Sequence, residues 1–518
     1  MKKSIFTILP MALLASCSSE LMETTDNNIN SGDVEKISIV SHPFVFDDDT
    51  RTSLTATEKS IIFAWADYDA MGVFPVAPYT NSQMKRELSV PAGTDAHYAT
   101  FDGAGWELKS GNTYAAYVPY NGNLTSSTPY SAIPIDMTHQ NGTLYTIGLA
   151  CDYMYALSSY KNHSNNSSVS DIVFDFKHAV SLLQLKITVP VSANWTNVTL
   201  TNDAGDKVWV MSATMNAATG EVTPKNVASR ISIPLYNVST TDKNKTITLY
   251  WAVLPTTTGK LKISALTSDY KRYTSTVDSR TFVAGKAYRY ETTLSEAPAS
   301  GVKNDYEWVD LGLSVMWASR NVGSADVTDF GKYYAWGETK AYGEEDLSNN
   351  TNYQYNSQSS YVKKYYDWRT YKWCNGSYSK ITKYYRTSDY NNDEIINIEA
   401  EDDAATQNWG MLWRMPTKKE IEELLHICKW KWINSYNNVN VNGFIVTGPN
   451  ENSIFLPAAG YCKEFQVERT LLEGLYWSSS VEAYWGSTEA FLIETNSMSL
   501  GCGSIERYIG LPVRAVCE

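Results

Sequence analysis

From residue 35 to about residue 296, short apolar runs alternate with clusters of Asn, Gly, Asp and Ser. This is the rhythm of β-strands joined by tight turns, as in a β-sandwich. The firmest strands fall at 106–108, 114–120, 182–189, 247–254 and 288–294, and no run in this half has helical periodicity. Within 35–46, Ile37 and Ile39 share one parity and Phe44 and Phe46 the other. A bulge is therefore expected near Pro43, and a proline there suits an edge strand. The polar stretch 158–171 reads as a loop that divides the region in two.

The second half contains one clear helix start. Thr417 and Glu420 have the spacing of a capping box, Pro416 precedes them, and Ile421, Leu424, Leu425 and Cys428 form one apolar stripe behind them. Almost everything else reads as strand, so this helix should pack across a sheet, with Trp409, Trp413 and Met415 supplying its core contacts. Residues 297–304 read as a linker, and 448–452 as the turn of a hairpin between 444–446 and 454–456.

At the N-terminus, Lys2 and Lys3 precede an apolar run at 5–14, too short for the ~20 residues of a membrane helix, so it reads as a signal peptide. Leu14-Ala15-Ser16-Cys17 has the form of a bacterial lipobox. Cleavage before Cys17 would leave its thiol and amine to carry acyl chains such as palmitate, each buried CH₂ anchoring by ~0.8 kcal/mol. The alternative is an ordinary secretory peptide with a chance cysteine. Residues 18–34 are polar and acidic, a tether. The expected organisation is thus a signal peptide at 1–16, a lipidated tether at 17–34, a β-sandwich region at 35–296, a linker at 297–304 and a further domain at 305–518.

Charge narrows the partners. Acidic residues outnumber basic ones 56 to 43, giving a net charge of −13, and no basic cluster is present to displace counterions from a phosphate backbone. Nucleic acid is excluded as the expected partner. Sixteen Trp and 36 Tyr favour strands and contact surfaces and point to a secreted or surface protein.

Five segments in order, TRTSL at 50–54, FAWADYDAMGVFP at 63–75, TYAAYVPY at 113–120, FDFKHAVSLLQLKITV at 174–189 and FVAGKAYRYETTL at 282–294, resemble the fimbrillin family of Bacteroidetes pilins. The resemblance implies two transthyretin-like β-sandwiches, export as a lipoprotein and proteolysis after an Arg near the first strand. A strand from another pilin subunit would then enter the vacated groove. Residues 35–46 fit the removable strand, and Arg51 is the candidate processing site, with a turn arginine paired to Asp47–Asp49 as the alternative. Removing a strand bares N–H and C=O groups and apolar slots that another strand can refill.

Six further segments resemble the Fibrobacter succinogenes major paralogous domain: WVDLGLSVMWASRNVG at 308–323, YYAWGETK at 333–340, NWGMLWRMPTKKEIEEL at 408–424, NSIFLPAAGY at 452–461, YWSSS at 476–480 and GLPVRAVC at 510–517. That resemblance implies an α+β domain like C-type lectins or formylglycine-generating enzymes, on a surface protein. The chain departs from the family at Arg320, which stands where relatives carry a cysteine, so Cys517 is assigned no disulfide.

Tyr365, Tyr366, Trp368 and Tyr371 lie in an aromatic run at 353–390 and are candidate sugar-stacking residues; the competing reading is that these rings fill the domain's own core. No metal is expected: the calcium-lectin tripeptides are absent, and Asp402 and Asp403 read as backbone caps. No cofactor or catalysis is expected either. There is no G-x-S-x-G, the six histidines have no ligand or triad spacing, Cys502 and Cys517 do not match the enzyme's cysteine pair, and Glu344-Glu345 and Glu422-Glu423 read as solvated. His178 reads as a packed or capping residue.

The sequence thus predicts an outer-membrane surface lipoprotein acting as a tip or minor fimbrial subunit and joined to other pilin subunits by strand exchange. Its C-terminal domain would meet a carbohydrate or protein ligand on a host or another bacterium. Because the chain continues past the sandwiches into a full-size domain, a fibre end is the expected position. The alternatives are a non-polymerising glycan-binding lipoprotein of the outer membrane and an enzyme on the formylglycine-generating fold.

Overall fold

The computed structural model describes residues 34–46, 60–61, 65, 69–76, 84–88, 98–102, 108, 112–125, 127–162, 170–241, 245–341, 345–346, 354–355, 361–362, 366–374, 376, 381–385, 395–464, 466–482 and 488–518. They are mainly β and divide into two compact units, one within 1–265 and 274–295, the other comprising 266–273 and 296–518.

The first unit is built from stacked sheets. The largest sheet orders Met84–Leu88, Asp69–Pro75, Tyr114–Val118, Met154–Asn162, Ser170–His178, β1 (Val34–Ser41) and Tyr98–Asp102. Both of its faces are covered, because successive residues of a strand point to opposite sides. Met71, Val73, Tyr114 and Ala116 join Ile37, Ile39, Ile172 and Phe174 in one cluster, whereas Phe74, Ala115 and Tyr117 join a second cluster with Leu182 and Ala287. Leu182 and Ala287 come from a second sheet, ordered Lys245–Val253, Ser181–Val189, Lys286–Thr293, β2 (Phe44–Phe46) and β3 (Ser60–Ile61). In a third, Arg230–Thr240 pairs antiparallel with Ala193–Asn202.

Three expectations for this half need correction. The polar stretch 158–171 does not divide it: Met154–Asn162 and Ser170–His178 pair antiparallel, with Ser158 opposite Phe174, so the stretch joins neighbours of one sheet. Polarity marks a hairpin turn and a domain crossing alike; the change of sheet falls at 179–180, between Ser170–His178 and Ser181–Val189. Secondly, a helix, α1 (Leu144–Ala150), is present. Its seven residues are too few to show a period, and Thr143 caps it by accepting from the Thr146 N–H. Thirdly, Leu108 is buried but lies outside any strand, and 103–107 fall outside the described residues.

The second unit closes on itself: Met316–Ala318 pairs with Val516–Cys517 in a sheet that also holds Ser300–Lys303 and Tyr306–Val309. Residues 297–304 are therefore not a free linker, since Ser300–Lys303 is a paired strand. Lys429–Ile433, Gly443–Thr447 and Ser453–Pro457 form one further sheet, and Glu473–Val481, Glu489–Asn496 and Leu500–Glu506 another. The 448–452 turn joins Gly443–Thr447 to Ser453–Pro457 as the sequence predicts, and the Asn450 and Asn452 amides each donate to the Asp310 carbonyl at 2.8 Å. Gly460 requires its residue type: its φ is +65°, and an added Cβ would lie 1.9 Å from the Glu468 carbonyl oxygen.

Two helices cross this unit, α2 (Ala404–Trp409) and α3 (Lys418–Ile427). The capping box forms as the spacing predicts, with the Thr417 hydroxyl accepting from Glu420 N–H and the Glu420 carboxylate accepting from Thr417 N–H at 2.8 Å. Ile421 and Leu424 are fully buried with Leu311, Trp317, Tyr476 and Phe491. Trp409, Trp413 and Met415 do not supply those contacts. They belong to a different cluster, around Trp336 and Trp477. Thr417→Ala should cost about 1 kcal/mol, and Thr417→Ser should restore most of it. Denaturant unfolding of the full chain measures this, and an unchanged midpoint for Thr417→Ala would show that the cap does not hold α3.

Candidate site: the slot filled by the N-terminal strand

β1 and β2 are one stretch of chain that serves two sheets. β1 runs parallel to Ser170–His178, with Ile37 opposite Ile172 and Ile39 opposite Phe174, and antiparallel to Tyr98–Asp102 on its other side. After His42 and Pro43 the chain crosses to the second sheet, where β2 runs parallel to Lys286–Thr293 and antiparallel to β3. The parity change is therefore a crossing between sheets rather than a bulge in one ladder. Proline suits it because no ladder hydrogen bond is required at the crossing. Ile37, Ile39 and Phe44 are 0% exposed and Phe46 6%, so both halves of the stretch fill apolar slots.

The crossing is gripped by a buried histidine. His178 Nδ1 lies 2.6 Å from Asp152 Oδ1 and its Nε2 lies 2.7 Å from the His42 carbonyl oxygen. Both neighbours are acceptors, so both ring nitrogens donate and the ring is an imidazolium. The ring also stacks on Phe44, with centroids 3.8 Å apart. Burial works to lower the His178 pKa, but the Asp152 charge and hydrogen bond together with the His42 carbonyl prevail and hold it above the usual histidine value. His42 itself is exposed, its Nε2 2.7 Å from Asp175 Oδ1. At β2, the Arg289 guanidinium carbon lies 4.5 Å from the centre of the Phe46 ring, and Arg289 Nε donates to Gln184 Oε1.

A pH dependence follows. Because folding raises the His178 pKa, its stabilisation is complete below the unfolded value near ~6.5 and is lost as pH rises through the folded value. The thermal midpoint should therefore fall from pH 6 toward pH 9, and His178→Gln should flatten that part of the profile. A profile that is the same in both proteins would contradict the assignment.

Cys17, Arg51 and Tyr365 lie outside the described residues. Of the remaining aromatic candidates, Tyr366 and Tyr371 are 0% exposed and present no face to a ligand, which corrects the stacking expectation for both. The Tyr366 hydroxyl donates to the Tyr333 carbonyl and that of Tyr371 to the Trp336 carbonyl, so each ring is tied into the core at both ends. Trp368 is half-buried, edge-on to Tyr371 and Tyr508. The motif tryptophans have the same fate: Trp336 Nε1 donates to the Ser478 carbonyl and Trp477 Nε1 to the Tyr334 carbonyl, each at 2.8 Å, so these words encode packing.

Asp403 caps α2 by accepting from Thr406 N–H at 2.9 Å and also accepts from Met415 N–H at 2.8 Å. Asp402 is not a backbone cap. It accepts from Lys383 Nζ at 2.7 Å, Lys372 Nζ at 2.9 Å and the Tyr384 hydroxyl at 2.6 Å. Burial works against the charge of Asp402, and these bonds more than offset it, holding its pKa below the ordinary carboxylate value. Glu399, Glu401 and Asp402 come together, but the Lys383 ammonium sits against all three at 2.6–2.9 Å. Glu423 is not merely solvated, since it accepts from both the backbone N–H and the hydroxyl of Ser314.

No disulfide forms among the described cysteines. Burial pushes the thiols of Cys151 and Cys428 up to about 12, far from a nucleophile's range. Cys502 is exposed on Leu500–Glu506, whereas Cys517 is buried opposite Met316 in another sheet.

Residues 49–306 match the family model described as fimbrillin-like. No curated protein matches the chain. Among solved structures, the chain is similar to a Bacteroides ovatus protein provisionally described as a cell adhesion protein, at 18% identity and TM-score 0.34, covering 52% of this chain and 97% of that one. A Bacteroides uniformis protein with the same provisional description has 18% identity and TM-score 0.32 over 45% of this chain and 92% of its own. A fimbrial protein of Bacteroides ovatus aligns at 12% identity and TM-score 0.23 over 95% of this chain and 100% of its own.

Proposed function

Residues 49–306 place this chain in the fimbrillin-like family, and from that premise we propose that it is a surface lipoprotein that becomes a tip or minor fimbrial subunit by strand exchange. The observation that carries the reading is the stretch 34–46, which lies between two partners in each of two sheets and buries four apolar side chains. Its loss would open four strand edges and both sets of slots at once, and an open groove of that kind favours a replacement strand.

In this scheme Cys17 carries the lipid that brings the precursor to the outer membrane, and cleavage after Arg51 releases the first strand. A strand of another pilin subunit takes its place. The second unit then stands at a fibre end, where it meets a carbohydrate or protein on a host or another bacterium. The role is one of assembly and attachment rather than catalysis.

The test is the N-terminus of the protein taken from the bacterial surface, by intact mass and N-terminal peptide mapping. A chain beginning at Thr52 in sheared fibres is the expected result. A lipidated Cys17 found only in the membrane would overturn strand exchange and leave a fixed glycan-binding lipoprotein.

A further inference from the structure

Two of the four apolar side chains buried by 34–46 are aromatic, and each meets a cation at its face. Phe44 lies against the His178 ring at 3.8 Å between centroids and 28° between planes, and Phe46 lies under the Arg289 guanidinium at 4.5 Å. Both cations are buried, His178 6% and Arg289 7% exposed, and both are fixed by other bonds, to Asp152 and to Gln184. Between the two rings, Val45 points outward, 46% exposed. An aliphatic side chain could fill either slot, but only a ring offers the negative face that a desolvated cation attracts.

We propose that this slot reads an aromatic-x-aromatic pair, so that any segment replacing β2, a strand of another subunit above all, is selected for rings at the positions of Phe44 and Phe46 by His178 and Arg289. The inference rests on the strand-exchange reading and adds the chemistry of the partner. Of the seventeen prolines in the chain, only Pro43 is followed by an aromatic-x-aromatic pair.

The experiment uses the full chain with a designed protease site in place of residues 47–51, cut after folding. The probe is a labelled peptide of residues 34–46, whose exchange into the cut protein is followed by fluorescence anisotropy. Phe44→Leu with Phe46→Leu in the peptide should weaken binding about tenfold or more, from the loss of two buried cation–π contacts, whereas Val45→Leu should change it less than about twofold, as an exposed position does. In the Arg289→Met protein the discrimination at residue 46 should largely vanish, and in Arg289→Lys it should persist. Leucine peptides that bind as well as the parent, or discrimination unchanged in Arg289→Met, would overturn the aromatic reading while leaving strand exchange standing. No exchange of any peptide would overturn both. The peptide series stands even if an Arg289 variant fails to fold.

Discussion

A chain made from Thr52 onward should fail to form a stable, monomeric first unit and should recover it when a peptide of residues 34–46 is added. The expectation comes from what that stretch buries. Ile37, Ile39, Phe44 and Phe46 are all at or below 6% exposure, and at ~1.5–3 kcal/mol for each large apolar side chain their burial amounts to roughly 6–12 kcal/mol, an upper bound because denatured chains are not fully extended. That is comparable to the whole stability of an ordinary domain, about 5–15 kcal/mol. The loss is compounded at the backbone, where the edges of Ser170–His178, Tyr98–Asp102, Lys286–Thr293 and β3 lose their partners together. Exposed edges of this kind carry unpaired N–H and C=O groups and invite pairing between molecules. Size-exclusion chromatography and near-ultraviolet circular dichroism of the 52–518 chain, with and without peptide, measure the effect. A monomer as thermally stable as the full-length protein would show that 34–46 is an appendage, and strand exchange would lose its physical basis.

The sequence made local features legible and long-range ones not. The α3 cap was readable because its partners, Thr417 and Glu420, are three residues apart. The strands at 182–189, 247–254 and 288–294 were readable because alternation is intrinsic to a strand, and they emerge as Ser181–Val189, Lys245–Val253 and Lys286–Thr293. The parity change at Pro43 was visible too, yet its meaning was not, because parity alone cannot distinguish a bulge from a chain that changes sheet. His178 meets the His42 carbonyl across 136 residues of sequence, and Arg289 meets Gln184 across 105. No local pattern announces such a meeting. What the sequence did offer was a histidine and an arginine inside apolar runs, FDFKHAV and AYRYETT, and a charge in such a place requires a buried partner.

The aromatic run of the second unit shows the same limit and leads to the second large effect: Tyr371→Ala should unfold the second unit rather than selectively remove a ligand. Interleaving with Lys, Asn and Ser gave the run the look of a binding surface, but Tyr371 is fully buried, its hydroxyl donating to the Trp336 carbonyl at 2.8 Å and accepting from Arg507 Nε at 2.9 Å. Truncating a buried ring of this size costs about 3–5 kcal/mol. Here it also deprives the buried Arg507 guanidinium of an acceptor, which adds to the cost. Tyr371→Phe keeps the ring and loses only the two hydroxyl bonds, so its cost should be about 1–3 kcal/mol. Denaturant unfolding of both variants, read beside binding to glycan arrays, separates the roles. If packing is the role, any binding lost by Tyr371→Ala follows its unfolded fraction, and Tyr371→Phe binds as the parent does wherever it is folded. A Tyr371→Ala protein with an unchanged unfolding midpoint and no glycan binding would instead make this ring a contact residue and the buried arrangement wrong.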